Sequence, residues 1–355
     1  MSGSREPAGR RRGVAIVGLG MAVAPHARSL LDLSDRVEVR HAVSRSAERR
    51  EAFSRHFPFP TTDDLASALA DDAVDLVAVL TPANTHLDIV ERCAAAGKHV
   101  LLEKPLDVST ERARTLVERC EAAGVTLGIV LQHRFRPAAK ALAARLREGA
   151  LGTIVGCSTS IRLWRPQSYY DEPGRGTLAR DGGGVLISQG IHTLDLMLSL
   201  AGPVREVTGF AATSPIHRME TEDMVAAALR FENGALGTVD ATTAAFPGFP
   251  ERIEIIGRDG TAVLSGPSLS IAYQDGRRES VATDGAAGGT GADPMAFPHD
   301  WHRSVWIDVL DALDTGRRPR IDGREALKVH RLIDALIEAG RSSGPVQIAS
   351  EVPRG

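Results

Sequence analysis

The chain has 355 residues, 43% of them hydrophobic, which suits two domains with sizeable cores. A formal net charge of -3 points away from nucleic acid and from an anionic membrane surface. Three widely spaced cysteines, Cys93, Cys120 and Cys157, read as a reduced, cytoplasmic protein with neither a disulfide framework nor a cysteine metal cluster.

The first residues, MSGSREPAGRRR, are basic but carry no apolar signal core, so residues 1–12 are expected to be a mobile tail. No apolar run is expected to reach membrane-spanning length. From there to about residue 130 two periodicities alternate. Strands are predicted at 14–18, 37–43, 74–80, 99–103 and 125–131, with helices near 25–33, 46–56, 62–70, 84–96 and 109–123. Ser109-Thr110-Glu111 marks a helix start, and Gly97 and Gly124 mark helix ends. Apolar strands alternating with helices predict a parallel sheet covered on both faces.

The pattern changes after Pro137. A helix at 138–148 leads into a long alternating strand, 154–164, and a further helix at about 183–200. Asn233-Gly234, Asp259-Gly260 and Asp275-Gly276 are hairpin signals between the strands that follow. Residues 283–294 read as a flexible loop, and helices at about 299–314 and 323–340 close the chain. The expected architecture is α/β: a dinucleotide-binding domain over 13–135, then an α+β domain over 136–355 with a mostly antiparallel sheet, for substrate binding and oligomerisation.

The stretch VAIVGLGMAVAPHA (14–27) supplies the first chemical signal. Gly18 allows a tight turn after a strand, and Gly20 lets a pyrophosphate approach the backbone at a helix N-terminus. Met21 and Ala22 complete the loop, while Val23 stands where the fingerprint has its third glycine. At the end of the second strand, where NAD-binding proteins usually carry a carboxylate, this chain has Ser44, followed by Arg45 and Arg49. A carboxylate would repel a 2′-phosphate and an arginine fork would bind it, so NADP is expected over NAD. The alternative is that both arginines are solvated helix-start residues and either cofactor is accepted.

Lys104, in GKHVLLEKPL (97–106), follows a buried-type strand and is placed to move a proton to or from a hydroxyl. In DGGGVLISQGIHTLDLMLSL (181–200), Ser188, His192 and Asp195 fall near one helical face, and three glycines are expected to let a ligand come close. Asp195 would orient the imidazole or pair with a cation.

Together the GxG start, TPANTH (81–86), GKHVLLEKPL and GGGVLISQGIHTLD resemble the Gfo/Idh/MocA oxidoreductases, over nearly the whole chain. The resemblance implies a Rossmann domain followed by an antiparallel-sheet domain, and hydride transfer between NAD(P) and a carbinol carbon of a sugar, cyclitol or dihydrodiol. It implies Lys104 as the central catalytic residue before a cis Pro105, with His192 sharing proton transfer. Thr81, Pro82, Asn84, His86 and Glu103 would line the ribose and nicotinamide. Gln132 and Arg134, in LQHRFRP, match a family position at the domain junction, where Gln132 is expected to touch the cofactor. Many members carry Asp four residues before the histidine. Ser188 cannot act as a carboxylate base, though it can hydrogen-bond a hydroxyl.

On the substrate side, IRLWRPQSYY (161–170) presents Arg162, Trp164, Arg165, Tyr169 and Tyr170. Of these, Arg162, Trp164 and Tyr170 are expected to contact the substrate, and alternation puts Arg162 and Trp164 on one face. An arginine and an aromatic suit a polyhydroxylated ring or a carboxylate. PHDWHR (298–303) adds His302; its spacing from His299 is weak as a metal motif, and no metal is expected. The sequence reading is a cytoplasmic NAD(P)-dependent dehydrogenase of a polyol, forming a homodimer or homotetramer. A dihydrodiol dehydrogenase and a non-catalytic NAD(P)-binding sensor are the alternatives it leaves open.

Overall fold

A computed structural model describes residues 11–281 and 298–349. The tail reading thus lies outside the described residues except at its end, where Arg12 already pairs as the first residue of a strand. The loop reading for 283–294 lies outside them too.

The N-terminal half alternates as its periodicity predicts. Its strands are β1 (Arg12–Val17), β2 (Val37–Val43), β3 (Thr61–Thr62), β4 (Leu76–Val79), β5 (His99–Leu102) and β6 (Leu127–Ile129). Between them run α1 (Val23–Asp32), α2 (Ala47–Ser54), α3 (Leu65–Ala70), α4 (His86–Ala95) and α5 (Thr110–Ala122). All six strands are parallel, in the order β3-β2-β1-β4-β5-β6. Val14, Ile16, Leu76, Ala78, Val100 and Leu102 are fully buried, as a sheet covered on both faces requires. Strand order reverses between β1 and β4, which opens a crevice at the carboxyl ends of the strands.

The second half starts with α6 (Pro137–Arg147) and β7 (Ile154–Arg162). Two single-turn helices, α7 (Gln167–Tyr170) and α8 (Leu178–Asp181), precede a π-turn at Leu186–Gly190 and α9 (Ile191–Ala201). Strands β8 (Val204–Ala212), β9 (Met224–Phe231), β10 (Leu236–Thr242), β11 (Arg252–Gly257), β12 (Gly260–Ser265), β13 (Ser268–Tyr273) and β14 (Arg278–Val281) follow. Then come α10 (Asp300–Thr315), α11 (Gly323–Ala339) and β15 (Val346–Gln347). The three turn dipeptides do join antiparallel neighbours.

The nine-stranded sheet, β14-β13-β12-β11-β7-β10-β9-β8-β15, is nonetheless mixed, which corrects the expected mostly antiparallel one. At its centre β7 and β10 run parallel, from Leu236 opposite Gly156 to Thr242 opposite Arg162. The cause is connectivity: a long crossover through α9 and the β8–β9 hairpin brings the chain back beside β7 in the same direction. Helices α6, α9 and α11 cover one face. The other face exposes Val155, Phe210, Met224, Leu236 and Ile256.

One further expectation gives way. Leu178–Ala201, 24 residues, is long and apolar enough to cross a membrane, although 72% of its most apolar stretch is buried inside the fold, as in a core helix. The last two helices return to the first half. Trp306 on α10 donates to His26 on α1, α11 packs on α5, and the Ile129 N–H bonds the Ile321 carbonyl.

Candidate active site

A continuous cleft of ≈ 1490 Å³ runs along the crevice from the loop after β1 to the segment before α9. At one end Gly18 has φ +105°, and a Cβ there would lie 2.8 Å from the Leu80 carbonyl carbon, so only glycine fits. Gly20 is different. A Cβ there would meet nothing closer than Arg49 Nη1, at 4.0 Å, so the loop leaves open space over its backbone. No side chain caps α1 and no acid sits in its first turn, so its positive end faces the cleft uncompensated. Val23, where a glycine was missing, is buried, packing α1 with its own side chain. Ser44, Arg45 and Arg49 line the cleft beside Gly20, Met21 and Ala22. Thr81, Pro82 and Gln132 continue the wall, and buried Gln132 Oε1 has no hydrogen-bond partner. An open glycine cradle, an uncapped helix start, two exposed arginines and an orphan carbonyl oxygen fit a dinucleotide.

Asn84 and His86, also expected at the cofactor, do not line the cleft. Asn84 is exposed, and His86 is fully buried between the carbonyls of Thr81 and Pro105, at 2.8 and 3.0 Å. His86 ties the 81–86 turn to the 104–106 loop behind the site. Burial pushes its pKa down.

Lys104 follows β5, at the carboxyl edge of the sheet, and the Lys104–Pro105 peptide is cis. Its Nζ donates to the Ser188 carbonyl at 2.8 Å, bridging the two halves. Burial drives its pKa down, the neighbouring Arg175 and Arg165 push the same way, and Glu103 opposes them. Glu103 lines the cleft but its oxygens are committed: one accepts the Lys104 N–H at 3.0 Å, the other meets His26 Nε2 at 2.9 Å. The Trp306 indole donates to His26 Nδ1 at 3.1 Å, so Nδ1 accepts and Nε2 carries the hydrogen toward Glu103. Burial would raise the Glu103 carboxyl, but the His26 hydrogen bond and the charges around it hold it at about 2. His302 lines the cleft 3.9 Å from Glu103, its pKa pushed by burial to about 3. Side-chain atoms of His26, Glu103 and His302 thus gather within 4.8 Å of one another, with His26 and Glu103 joined by a hydrogen bond.

His192 lies across the cleft, stacked on His133 with centroids 4.9 Å apart, and its Nδ1 has no partner. Burial, then Lys104 and Arg136, hold its pKa well below the usual histidine value. It is therefore a neutral ring with a buried, unpartnered nitrogen. Asp195 does not orient it. Its carboxylate accepts from Arg134 Nε at 2.7 Å, and Arg134 also bonds Glu325 at 2.9 Å, clamping α9 to α11 at the junction.

Ser188 reaches Lys104 through its backbone; its hydroxyl turns back to the Gly183 carbonyl at 3.4 Å. The π-turn carries this carbonyl, and such turns recur at functional sites. Of the three glycines before it, Gly182 and Gly184 are packed against backbone and leave no room for a ligand. A Cβ on Gly184 would sit 1.7 Å from the Glu222 carbonyl oxygen, and one on Gly182 would sit 2.5 Å from that of Val108. They allow close packing, and Glu222 then caps the backbone N–H groups of Gly184 and Leu186 at 3.0 and 3.2 Å.

Of the residues expected at the substrate, His302 reaches the cleft, whereas Arg162, Trp164 and Tyr170 do not. Arg162 pairs with Asp240 on the outer sheet face, Trp164 packs on Phe246, and Tyr170 is buried with its hydroxyl 2.7 Å from Thr243. The expected face of β7 was the wrong one. Cys157, Thr159, Ile161 and Leu163 are the buried phase of this strand, and that phase leads to Arg165. Arg165 and Tyr169, noted in that stretch but not chosen as substrate contacts, line the cleft, together with Arg175, Gln189, His133, Arg136 and Trp301, which sequence reasoning did not single out. The spacing of buried residues along β7 was the available signal for Arg165; nothing local distinguishes Arg175.

A parallel sheet with a dinucleotide cradle, and a lysine and a neutral histidine facing each other across the same cleft, define a nicotinamide-dependent oxidoreductase. The comparisons agree. Residues 12–130 match the model of the oxidoreductase family with an NAD-binding Rossmann fold, and 139–263 match the GFO/IDH/MocA C-terminal domain. The chain belongs to the GFO/IDH/MocA oxidoreductases and is an NAD(P)-dependent dehydrogenase. It is 29% identical to the D-apiose dehydrogenase of Paraburkholderia graminis, over 95% of this chain and 89% of that one. It is 27% identical to the D-xylose 1-dehydrogenase (NADP(+)) 2 of Haloferax volcanii, over 86% and 90%. The WlbA dehydrogenase from Bordetella pertussis, solved in complex with NADH and UDP-GlcNAcA, superposes with a TM-score of 0.82 at 28% identity, covering 96% of this chain and 100% of that one.

Proposed function

We propose that this enzyme oxidises a CH–OH group of a sugar, cyclitol or related polyol, with NADP preferred to NAD. The observation that carries the reading is the pairing, across one cleft, of the Lys104 amine with the unpartnered Nδ1 of His192. Gly18, Gly20, Met21, Ala22, Thr81, Pro82 and Gln132 would hold the dinucleotide, which when bound supplies the acceptor for the hydride of the carbinol C–H. Lys104, its pKa lowered, takes the hydroxyl proton onto Nζ. The Ser188 carbonyl holds that amine in place, and Glu103 fixes the backbone beneath it. His192 holds the substrate oxygen or a neighbouring hydroxyl. A screen of polyols and aldoses for cofactor reduction tests the reading; dinucleotide binding without turnover of any CH–OH compound would sink it.

The NADP preference rests on Ser44, Arg45 and Arg49 around the Gly20 loop. No carboxylate ends β2 to bond ribose hydroxyls and repel a 2′-phosphate. Arg45→Ala is expected to lower kcat/KM for NADP about 10-fold and leave NAD within about 2-fold. A wild-type enzyme that favours NAD tenfold defeats this part. The exposed apolar face of the nine-stranded sheet is the surface a homodimer or homotetramer would bury, and light scattering in solution reads the oligomeric state.

A further inference from the structure

Trp306 lies on α10, in the second half of the chain, and its indole is fully buried where α10 packs on α1. An indole N–H only donates, and this one is directed at His26 Nδ1, 3.1 Å away. His26 is also fully buried, so both of its ring nitrogens need partners. With Nδ1 accepting, the ring hydrogen sits on Nε2, 2.9 Å from Glu103 Oε1. Glu103 Oε2 accepts the Lys104 N–H at 3.0 Å, and the Glu103 N–H bonds the Val79 carbonyl at 2.9 Å. Three hydrogen bonds thus link a C-terminal helix to the backbone of Lys104.

The indole decides how that chain is wired. A neutral imidazole can carry its hydrogen on either nitrogen. On Nδ1 it would turn a lone pair toward the Glu103 carboxylate, a costly contact away from water. The Trp306 N–H excludes that tautomer, because Nδ1 cannot both accept from the indole and carry a hydrogen toward it. Burial would raise the Glu103 carboxyl, and the hydrogen bond from His26 does most to hold it at about 2. The start of α10 is itself fastened to the end of α1, where His299 and Arg303 meet Asp32 at 2.8 and 2.9 Å. Lys104 is therefore held from the second half at both ends: at Nζ by the Ser188 carbonyl, and at its N–H through Glu103, His26 and Trp306.

We propose that Trp306 and His26 are positioning residues for Lys104: the indole fixes the His26 tautomer, His26 holds the Glu103 carboxylate, and that carboxylate sets the backbone from which the amine reaches the carbinol. The proposal rests on the dehydrogenase reading above, with Lys104 as the base. Neither Trp306 nor His26 lines the cleft, so their effect on the reaction passes through Glu103. Misplacing a reacting group by about 1 Å costs on the order of 10²-fold in rate, and the loss should fall on kcat.

The test uses the aldose or polyol turned over best in the screen above. His26→Leu should lower kcat about 10²-fold, with KM and dinucleotide affinity each within about 3-fold. His26→Gln should recover at least about 10-fold of that loss, since a Gln amide accepts at its oxygen and donates at its nitrogen as this imidazole does. Trp306→Phe should lower kcat about 10-fold in the wild type, but less than about 2-fold in His26→Leu, where the chain is already cut. Nitrogen-15 NMR of histidine-labelled enzyme reads the tautomer without any substrate. The signal that His26→Gln removes should show hydrogen on Nε2 alone in the wild type, and should lose that preference in Trp306→Phe. Thermal unfolding and dinucleotide fluorescence check that each variant is folded; if His26→Leu does not fold, Trp306→Phe turnover and the tautomer signal decide. A hydrogen on Nδ1 in the wild type would overturn the proposal and leave the dehydrogenase reading standing. So would equal turnover in His26→Gln and His26→Leu, or Trp306→Phe turning over like the wild type. If no aldose or polyol reduces the cofactor, or Lys104→Met turns over normally, the reading of Lys104 falls and takes this proposal with it.

Discussion

At the Gly18 end of the cleft the walls are backbone, small side chains and exposed guanidinium groups. At the Lys104 end they are buried, charged and bonded to one another across the two halves of the chain. The first end works through a conformation that a few consecutive residues dictate: a left-handed glycine, an uncovered Gly20 and an uncapped helix. The second works through electrostatics that no short stretch contains. Lys104 gains its lowered pKa from burial and from arginines some 60 and 70 positions away in the chain. Away from the strained Gly18, the first end should therefore respond to substitution in affinity alone, and the second in chemistry and stability.

The largest effect is expected at Lys104. Lys104→Met keeps the bulk and removes the amine. Turnover should fall by about 10² to 10⁴, as for loss of a general base, with dinucleotide affinity changed less than about 3-fold. In the wild type, kcat should rise with pH to a plateau reached below the ordinary lysine range, because burial and then Arg175 and Arg165 favour the neutral amine. Near-normal turnover in Lys104→Met would erase the distinction between the two ends.

The buried histidines give the next largest effect, on stability. His302 and His330 are held at about 3 and about 4 by burial, from an ordinary value of 6.5. The unfolded chain protonates them first, so their contribution is full above about pH 6.5 and is lost as pH falls through the folded values. Glu103, held at about 2, adds a second loss as pH falls from about 4.5 toward 2. Melting temperature should thus decline from near pH 6.5 downward. His330 accepts the Leu106 N–H through Nε2, and a Gln carbonyl can do the same. His330→Gln should flatten the curve between pH 6.5 and 4, where the histidine accounts for up to about 3 kcal/mol. An unchanged slope would show that acid acts elsewhere.

Two glycines sharpen the contrast at an intermediate scale. Gly184→Ala drives a Cβ to 1.7 Å from the Glu222 carbonyl and should cost about 2 kcal/mol or more of stability. Gly20→Ala meets open space, so melting should be unchanged while dinucleotide affinity falls about 10-fold. Thermal unfolding and fluorescence titration separate the two outcomes.

The same contrast explains what the sequence made legible. Alternating periods located five of the six parallel strands, missing Thr61–Thr62, a two-residue edge strand too short for any pattern. Gly18, Lys104 and His192 were found because each sits in a local motif tied to one end of an element. The mixed sheet was hidden because hairpin dipeptides report neighbouring strands, while the β7–β10 pair closes over more than 70 residues. Arg162 was preferred to Arg165 because alternation fixes relative faces but not which face is buried. The glycines at 182–184 looked like a ligand approach because an uncovered glycine and a packed one read alike until Glu222 and Val108 are seen against them.

The smallest effect is expected at Ser188, and it tests the comparison most finely. A hydroxyl one turn before His192 invites a place in the proton path. The structure gives the contact with Lys104 to the Ser188 carbonyl at 2.8 Å, and leaves the hydroxyl on a 3.4 Å bond to Gly183. A carbonyl survives any side-chain substitution that keeps the π-turn. Ser188→Ala removes only the weak bond and should leave kcat and its pH profile within about 2-fold. Ser188→Asp is a separate case, since it adds a carboxylate near the Lys104 amine, favours the charged form and should move the inflection of kcat upward in pH. If Ser188→Ala lowers turnover tenfold with the fold intact, the hydroxyl rather than the carbonyl belongs to the site, and the Lys104 end is built from side chains alone.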